Sequence, residues 1–132
     1  MFVPSLAGHV LAPPTAGLVL AEWTAEGSTS GEPLYQAPLH RHVDEDEAWY
    51  VLRGMLRVRL DDDEVEVPAG GVAMAPRGTA HTFWNPDPEP ARYLLVMGAR
   101  SYGLIEAIHA RADRDEPGVM CQLFEEHGAQ LL

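Results

Sequence analysis

Between Gly17 and Met97 the chain favours short runs in which apolar and polar positions alternate. Leu56, Val58 and Leu60 alternate with Arg57 and Arg59, the two-residue period of a strand with one buried and one wet face. Comparable β-rich runs predict strands at Leu18–Thr24, Leu34–His40, Ala48–Leu52, Met55–Leu60, Glu64–Val67, Gly71–Ala75, Ala80–Trp84 and Arg92–Met97. Turn-forming residues separate most of them, among them Arg53-Gly54, Asp61-Asp62-Asp63, Pro68-Ala69-Gly70, Arg77-Gly78 and Asn85-Pro86-Asp87-Pro88. Many short, closely spaced strands indicate an all-β sandwich or barrel.

After Gly98 the period changes. Tyr102, Leu104, Ile105, Ile108 and His109 recur at helical spacing, predicting a helix over about Ser101 to Arg114 with Ser101 as its N-cap. A second helix is expected from Pro117, a favourable first helical residue; it would bury Met120, Leu123 and Phe124 and end near Gly128. No linker or repeat divides the chain, so residues 1–132 read as one domain, with its core over 34–97 and a helical segment over 101–130.

Composition narrows the function. At 132 residues and 46% hydrophobic, the chain can bury a core without disulfides or structural metals. Its net charge of −11 argues against nucleic acid and against docking on an anionic membrane. It contains no lysine, which excludes Schiff-base chemistry and Walker-type phosphate binding. Cys121 is the single cysteine, so no intrachain disulfide can form. The segment Met1 to Leu20 lacks a basic n-region and is broken by Pro4, Pro13 and Pro14, unlike a signal peptide. No apolar run is long enough to span a bilayer, and a cytoplasmic location is expected.

The candidate chemistry lies in His40-Arg41-His42 and the acidic run Asp44-Glu45-Asp46-Glu47. On a strand, residues two apart share a face, with backbones about 6–7 Å apart, so both imidazoles can reach one ion. A carboxylate and a third histidine would complete an N3O set suited to one divalent transition metal: Fe, Mn, Ni, Cu, Co or Zn. Taken alone, the pair reads more readily as two solvated histidines beside a turn, by roughly two to one. The acidic run reads chiefly as a solvated loop.

Two motifs decide between these readings. His40-x-His42-x4-Glu47-x6-Gly54 and Gly70-x5-Pro76-x-Gly78-x2-His81-x3-Asn85 resemble the paired motifs of the cupin superfamily, in particular small single-domain, quercetin-dioxygenase-like members. The resemblance departs at Leu34, where the first motif usually opens with a glycine; Gly31 lies nearby. It implies a double-stranded β-helix, the cupin jelly-roll barrel, with the two short C-terminal α-helices and an N-terminal strand packed outside. It implies that His40, His42, Glu47 and His81 converge on one metal, with Glu47 as the acid ligand and Glu45 as the fallback. Gly54, Pro76 and Gly78 would shape turns, and Asn85 would close a hairpin without touching the metal. Four protein ligands leave open coordination positions, as in a catalytic site. From strand parity, Trp49 and Val51 share the face of Glu47, Phe83 that of His81 and Gln36 that of His40; these are the candidate substrate pocket, although Trp49 and Phe83 read equally well as core. His9, His109 and His127 have no companions at ligand spacing. A homodimer is expected from the resemblance.

Two function classes follow. The first is a metal-dependent enzyme acting on a small molecule, either of dioxygenase type or a metal-assisted isomerase, cyclase or lyase, with Glu47 moving protons. The second is a non-catalytic module that binds a small molecule or a metal.

Overall fold

Leu56 and Val58 are fully buried while Arg57 and Arg59 remain half-exposed, so the alternation read along this strand is its inside and outside. The computed structural model describes residues 1–132. Its elements follow in the order β1 (Val10–Leu11), β2 (Leu18–Ala25), β3 (His40–His42), β4 (Glu47–Arg53), β5 (Met55–Leu60), β6 (Asp63–Pro68), β7 (Val72–Ala75), β8 (His81–Trp84), β9 (Ala91–Gly98), α1 (Ala99–Ala110), α2 (Val119–Glu126) and β10 (Ala129–Leu131). They form two antiparallel five-stranded sheets, ordered β1-β2-β9-β4-β7 and β10-β3-β8-β5-β6. Apart from the β1–β2 and β5–β6 hairpins, successive strands cross from one sheet to the other, giving the expected double-stranded β-helix.

The core lies between the sheets, where Trp49, Val51, Leu56, Val58, Ala91 and Met97 are wholly out of solvent. Burying each large side chain there contributes roughly 1.5–3 kcal/mol. A smaller cluster of Leu104, Leu123, Phe124 and Ala129 sits beneath the helices. Gly54, between β4 and β5, has φ +82, and a Cβ there would lie 3.1 Å from the Ala91 Cα, so both the turn and the approach of β9 require glycine.

Several boundaries differ from the expectations. Residues 34–39 form no strand; β3 begins at His40 and ends at His42. Pro38, lacking an N–H, cannot extend the ladder, and only isolated backbone bonds form there, from the Gln36 N–H to the Phe83 carbonyl at 2.9 Å and from the Leu132 N–H to the Leu39 carbonyl at 3.0 Å. β1 and β10 have two and three residues, too few to display a period. α1 begins at Ala99 with Gly98 in the N-cap position, not Ser101, because the Ser101 hydroxyl is engaged elsewhere. α2 begins at Val119, after a left-handed Gly118, which leaves Pro117 outside the helix. The helices do not merely pack outside: α1 rests on β9 and β2, α2 on β10, and together they wall one side of the interior cavity.

Candidate metal centre

β3 is short, but its pleat sends both His40 and His42 inward. Antiparallel pairing with β8 sets His81 directly opposite His40. Glu47 opens β4 in the facing sheet, beside Met97 and Ala75. The four side chains are all buried, and one ligand atom from each lies within 4.8 Å of the others. Ring centroids are 4.9 Å apart for His40 and His42, 4.4 Å for His40 and His81, and 5.3 Å for His42 and His81.

The hydrogen bonds orient these rings. His40 Nδ1–H donates to the Pro38 carbonyl at 2.6 Å, and His81 Nδ1–H to the Thr79 carbonyl at 2.9 Å. His42 Nδ1 lies 3.2 Å from Ser101 Oγ, which is itself 2.7 Å from Glu45 Oε1. An ionised carboxylate only accepts, so the hydroxyl donates to Glu45 and its lone pair takes the His42 N–H. In its neutral form each imidazole therefore turns a bare Nε2 toward the centre. The Nε2 atoms of His42 and His81 are buried and make no hydrogen bond to protein. His81 Nε2 sits 2.8 Å from Glu47 Oε2 but out of line for one, and His42 Nε2 is 3.8 Å from the same oxygen. Three buried imidazoles and one buried carboxylate, with the Nε2 atoms of His42 and His81 unpartnered, fit a divalent transition metal.

The electrostatics separate His81 from the other two histidines. Burial, then the neighbouring His81, pushes His40 down to about 4, so it is neutral at ordinary pH. Burial also lowers His42 against the pull of Glu47. Burial works against ionisation of Glu47, but the close His81 imidazole, with His42 and His40, holds its carboxyl below the usual range. Burial opposes a charge on His81 too, and the Glu47 carboxylate outweighs it and raises the pKa. The cluster thus draws positive charge to the Glu47–His81 edge.

Of the cluster, His40, His42 and Glu47 line a cavity of about 420 Å³. Of the pocket residues expected from parity, Gln36 and Phe83 line it. Trp49 and Val51 point inward but lie behind its wall in the core; the Trp49 ring backs His81 and Phe83, each at 5.4 Å. The remaining wall comes largely from residues with no pocket role in the sequence analysis: Tyr93 on β9, Leu104, Ile105 and Ile108 on α1, and Phe124 on α2. Helical spacing marked the α1 and α2 residues as buried without showing what they cover. His109, exposed on α1, also borders the cavity. Burial, reinforced by Glu47, raises the Tyr93 phenol, which stays neutral.

The acidic run is not a freely solvated loop. Asp46 accepts from the Arg77 backbone and guanidinium at 2.8–3.2 Å, tying the loop before β4 to the turn that delivers His81. Asp44 pairs with Arg100. Glu45 is not in the cluster; it accepts from the Arg100 and Ser101 N–H groups at 3.3 and 2.7 Å, capping α1. Asn85 closes its hairpin: its amide donates to the Ala25 and Glu89 carbonyls, and its oxygen accepts from the Asp87 N–H.

Residues 32–97 match the family model described as Cupin domain. No curated protein matches the chain. Among solved structures, one from Thermus thermophilus is 26% identical with a TM-score of 0.54, over 61% of this chain and 71% of that one. A Klebsiella pneumoniae protein described as an uncharacterized conserved protein with a double-stranded beta-helix domain is 24% identical with a TM-score of 0.55, over 68% and 73%. A Silicibacter pomeroyi protein described as a sugar phosphate isomerase from a cupin superfamily is 24% identical with a TM-score of 0.55; 64% of this chain spans about half of it, 52%. The last two likenesses show the fold alone.

Proposed function

The chain belongs to the cupin domain family, and we propose that it is a metal-dependent enzyme acting on a small, uncharged, largely apolar molecule. The observation that carries this reading is the set of buried donors His40, His42, Glu47 and His81, gathered within 4.8 Å, of which His40, His42 and Glu47 line the cavity. These residues would hold one divalent transition metal. Such an ion supplies Lewis-acid polarisation of a substrate oxygen or, if redox-active, chemistry with dioxygen.

The protein's own groups suit both branches: a dioxygenase-type reaction of the quercetin-dioxygenase-like kind, or a metal-assisted isomerase, cyclase or lyase. Glu47 is the only carboxylate lining the cavity and is the group placed to take or return a proton through its carboxylate oxygens. The neutral Tyr93 phenol borders the same space as a hydrogen-bond donor. Phe83, Leu104, Ile105, Ile108 and Phe124 exclude water and offer an apolar bed. No Arg or Lys lines the cavity, so a phosphate would enter without a counter-charge. That disfavours carrying over the activity in the Silicibacter pomeroyi protein's description. The same acidic, lysine-free surface disfavours nucleic acid as a partner.

The test is elemental mass spectrometry on protein purified anaerobically without a metal-binding tag. Roughly one equivalent of Fe, Mn, Ni, Cu, Co or Zn per chain is expected. Iron, copper, nickel or manganese would direct substrate screens toward oxygen consumption with chelating aromatic compounds, and zinc toward isomerase, cyclase and lyase reactions. No metal, and none taken up on titration, would sink this reading and leave a small-molecule binding module.

A further inference from the structure

The three candidate imidazole ligands are not held alike. His40 and His81 each donate Nδ1–H to a backbone carbonyl two residues away, Pro38 and Thr79, so local chain geometry orients them. His42 has a side-chain acceptor, Ser101, 59 residues on and in another element. Ser101 is 1% exposed on the first turn of α1. Its hydroxyl proton goes to Glu45 Oε1 at 2.7 Å, and the same carboxylate oxygen takes the Ser101 N–H at 2.7 Å.

We propose that Ser101 and Glu45 are positioning residues for the metal centre, fixing His42 with Nδ1–H outward and Nε2 inward and coupling that geometry to the seating of α1. This rests on the metal reading above. The arrangement is directional. The Glu45 carboxylate can only accept, so the Ser101 O–H points to it, and the oxygen that remains can only accept from His42. His42 is thereby denied the other neutral tautomer, whose Nε2–H would face the centre and block coordination. Gly98 makes room for the device, since a Cβ at that position would overlap the Glu45 carboxylate. The helix that supplies Ser101 also lines the cavity through Leu104, Ile105 and Ile108. An occupant resting on α1 therefore touches the element that sets one metal ligand.

The experiment measures cobalt(II) affinity by chelator competition, together with the ring tautomers of metal-free protein by long-range proton–nitrogen NMR. Wild type is expected to show His42 as the Nδ1–H form. Ser101→Ala is expected to mix the His42 tautomers, leave His40 and His81 unchanged, and weaken cobalt binding about 10–100-fold. Glu45→Ala leaves the hydroxyl in place but undirected, and is expected to weaken binding by a smaller factor. Arg100→Ala loosens α1 by removing its contacts to Asp44 and the Glu126 carbonyl while sparing the relay, and should hold affinity within about twofold of wild type.

Ser101→Ala with wild-type affinity and an unmixed His42 tautomer overturns the inference. Equal losses in Ser101→Ala and Arg100→Ala also overturn it, because loosening of the helix then suffices. Unchanged affinity in Glu45→Ala overturns the part assigned to Glu45, and that variant serves as the test if Ser101→Ala does not fold. If wild type itself takes up no cobalt, the metal reading fails first. Normal wild-type binding with a silent Ser101→Ala variant leaves that reading intact and removes only this one.

Discussion

An imidazole ligates through a nitrogen with a free lone pair, so a histidine cluster is informative only once the other ring nitrogen is accounted for. Here Pro38, Thr79 and Ser101 take the three Nδ1–H groups and leave the Nε2 atoms facing inward. His40→Ala removes one inward lone pair from a site whose remaining donors are too few to hold an ion tightly. It is expected to abolish stoichiometric metal binding while circular dichroism and a cooperative melt show the barrel intact. Stoichiometric metal in that variant would disprove the ligand assignment. Trp49→Ala is the contrasting case. Trp49 is fully buried against His81 and Phe83, so its truncation should cost about 3–5 kcal/mol of stability, seen in denaturant titration. His40 and His42 were legible as a pair because an H-x-H on a strand is a local fact, whereas Glu47 and His81 were reached only through the resemblance of the two motifs to those of the family. Glu45 was legible in neither way. Its neighbours in sequence are acidic and exposed, and its role depends on a helix that arrives 55 residues later.

At the scale of elements, α1 links the surface to the site. Its first N–H groups lack partners within the helix, and Glu45, reaching across from the loop before β4, accepts two of them. Gly98→Ala keeps an allowed backbone, φ −75, but pushes a methyl group into that carboxylate. The expected result is loss of the cap, about 1 kcal/mol, read as a melting temperature lower by roughly 4 °C. An unchanged melt would show that the Glu45 side chain moves aside without cost. The elements themselves were unevenly readable. β5 declared itself by alternation, with Arg57 and Arg59 outward; β9 read only as a β-rich apolar run, whose Tyr93, Leu95 and Met97 lie buried on the inner face. The segment before His40 carries strand-like residues, yet Pro38 leaves it without a ladder partner at that position. β10 has three residues and exists because β3 offers an open edge, pairing Leu131 with His40 and Ala129 with His42. Strand parity put Trp49 and Val51 inward correctly, but parity gives direction and not depth, and both lie below the cavity.

For the whole molecule, the outer face of the β1-β2-β9-β4-β7 sheet runs against the charge of the chain. With a net charge of −11, this surface still collects Val72 and Met74 on β7, Ala48, Tyr50 and Leu52 on β4, and Leu94 and Val96 on β9. The strand register places them side by side: Met74, Ala48 and Val96 in one row, Val72, Tyr50 and Leu94 in the next. Val72 and Met74 are 62% and 57% exposed, and β7 is the edge strand. A contiguous apolar face of this kind on a single chain points to a protein partner. A second copy fits best, because the patch carries no charge and two such faces meet without repulsion, whereas the acidic remainder of the surface would repel. We therefore expect a dimer, with light scattering after size-exclusion chromatography giving twice the chain mass at micromolar concentration. The double variant Val72→Glu with Met74→Glu places two carboxylates from each copy at the centre of the joint and should run as a monomer. It should also keep its fold and its metal stoichiometry, since both side chains point away from the barrel interior. A monomeric wild type would remove this assembly. A dimer that survives the double variant would move the interface elsewhere, with the open edge of β6 in the opposite sheet as the next surface to alter.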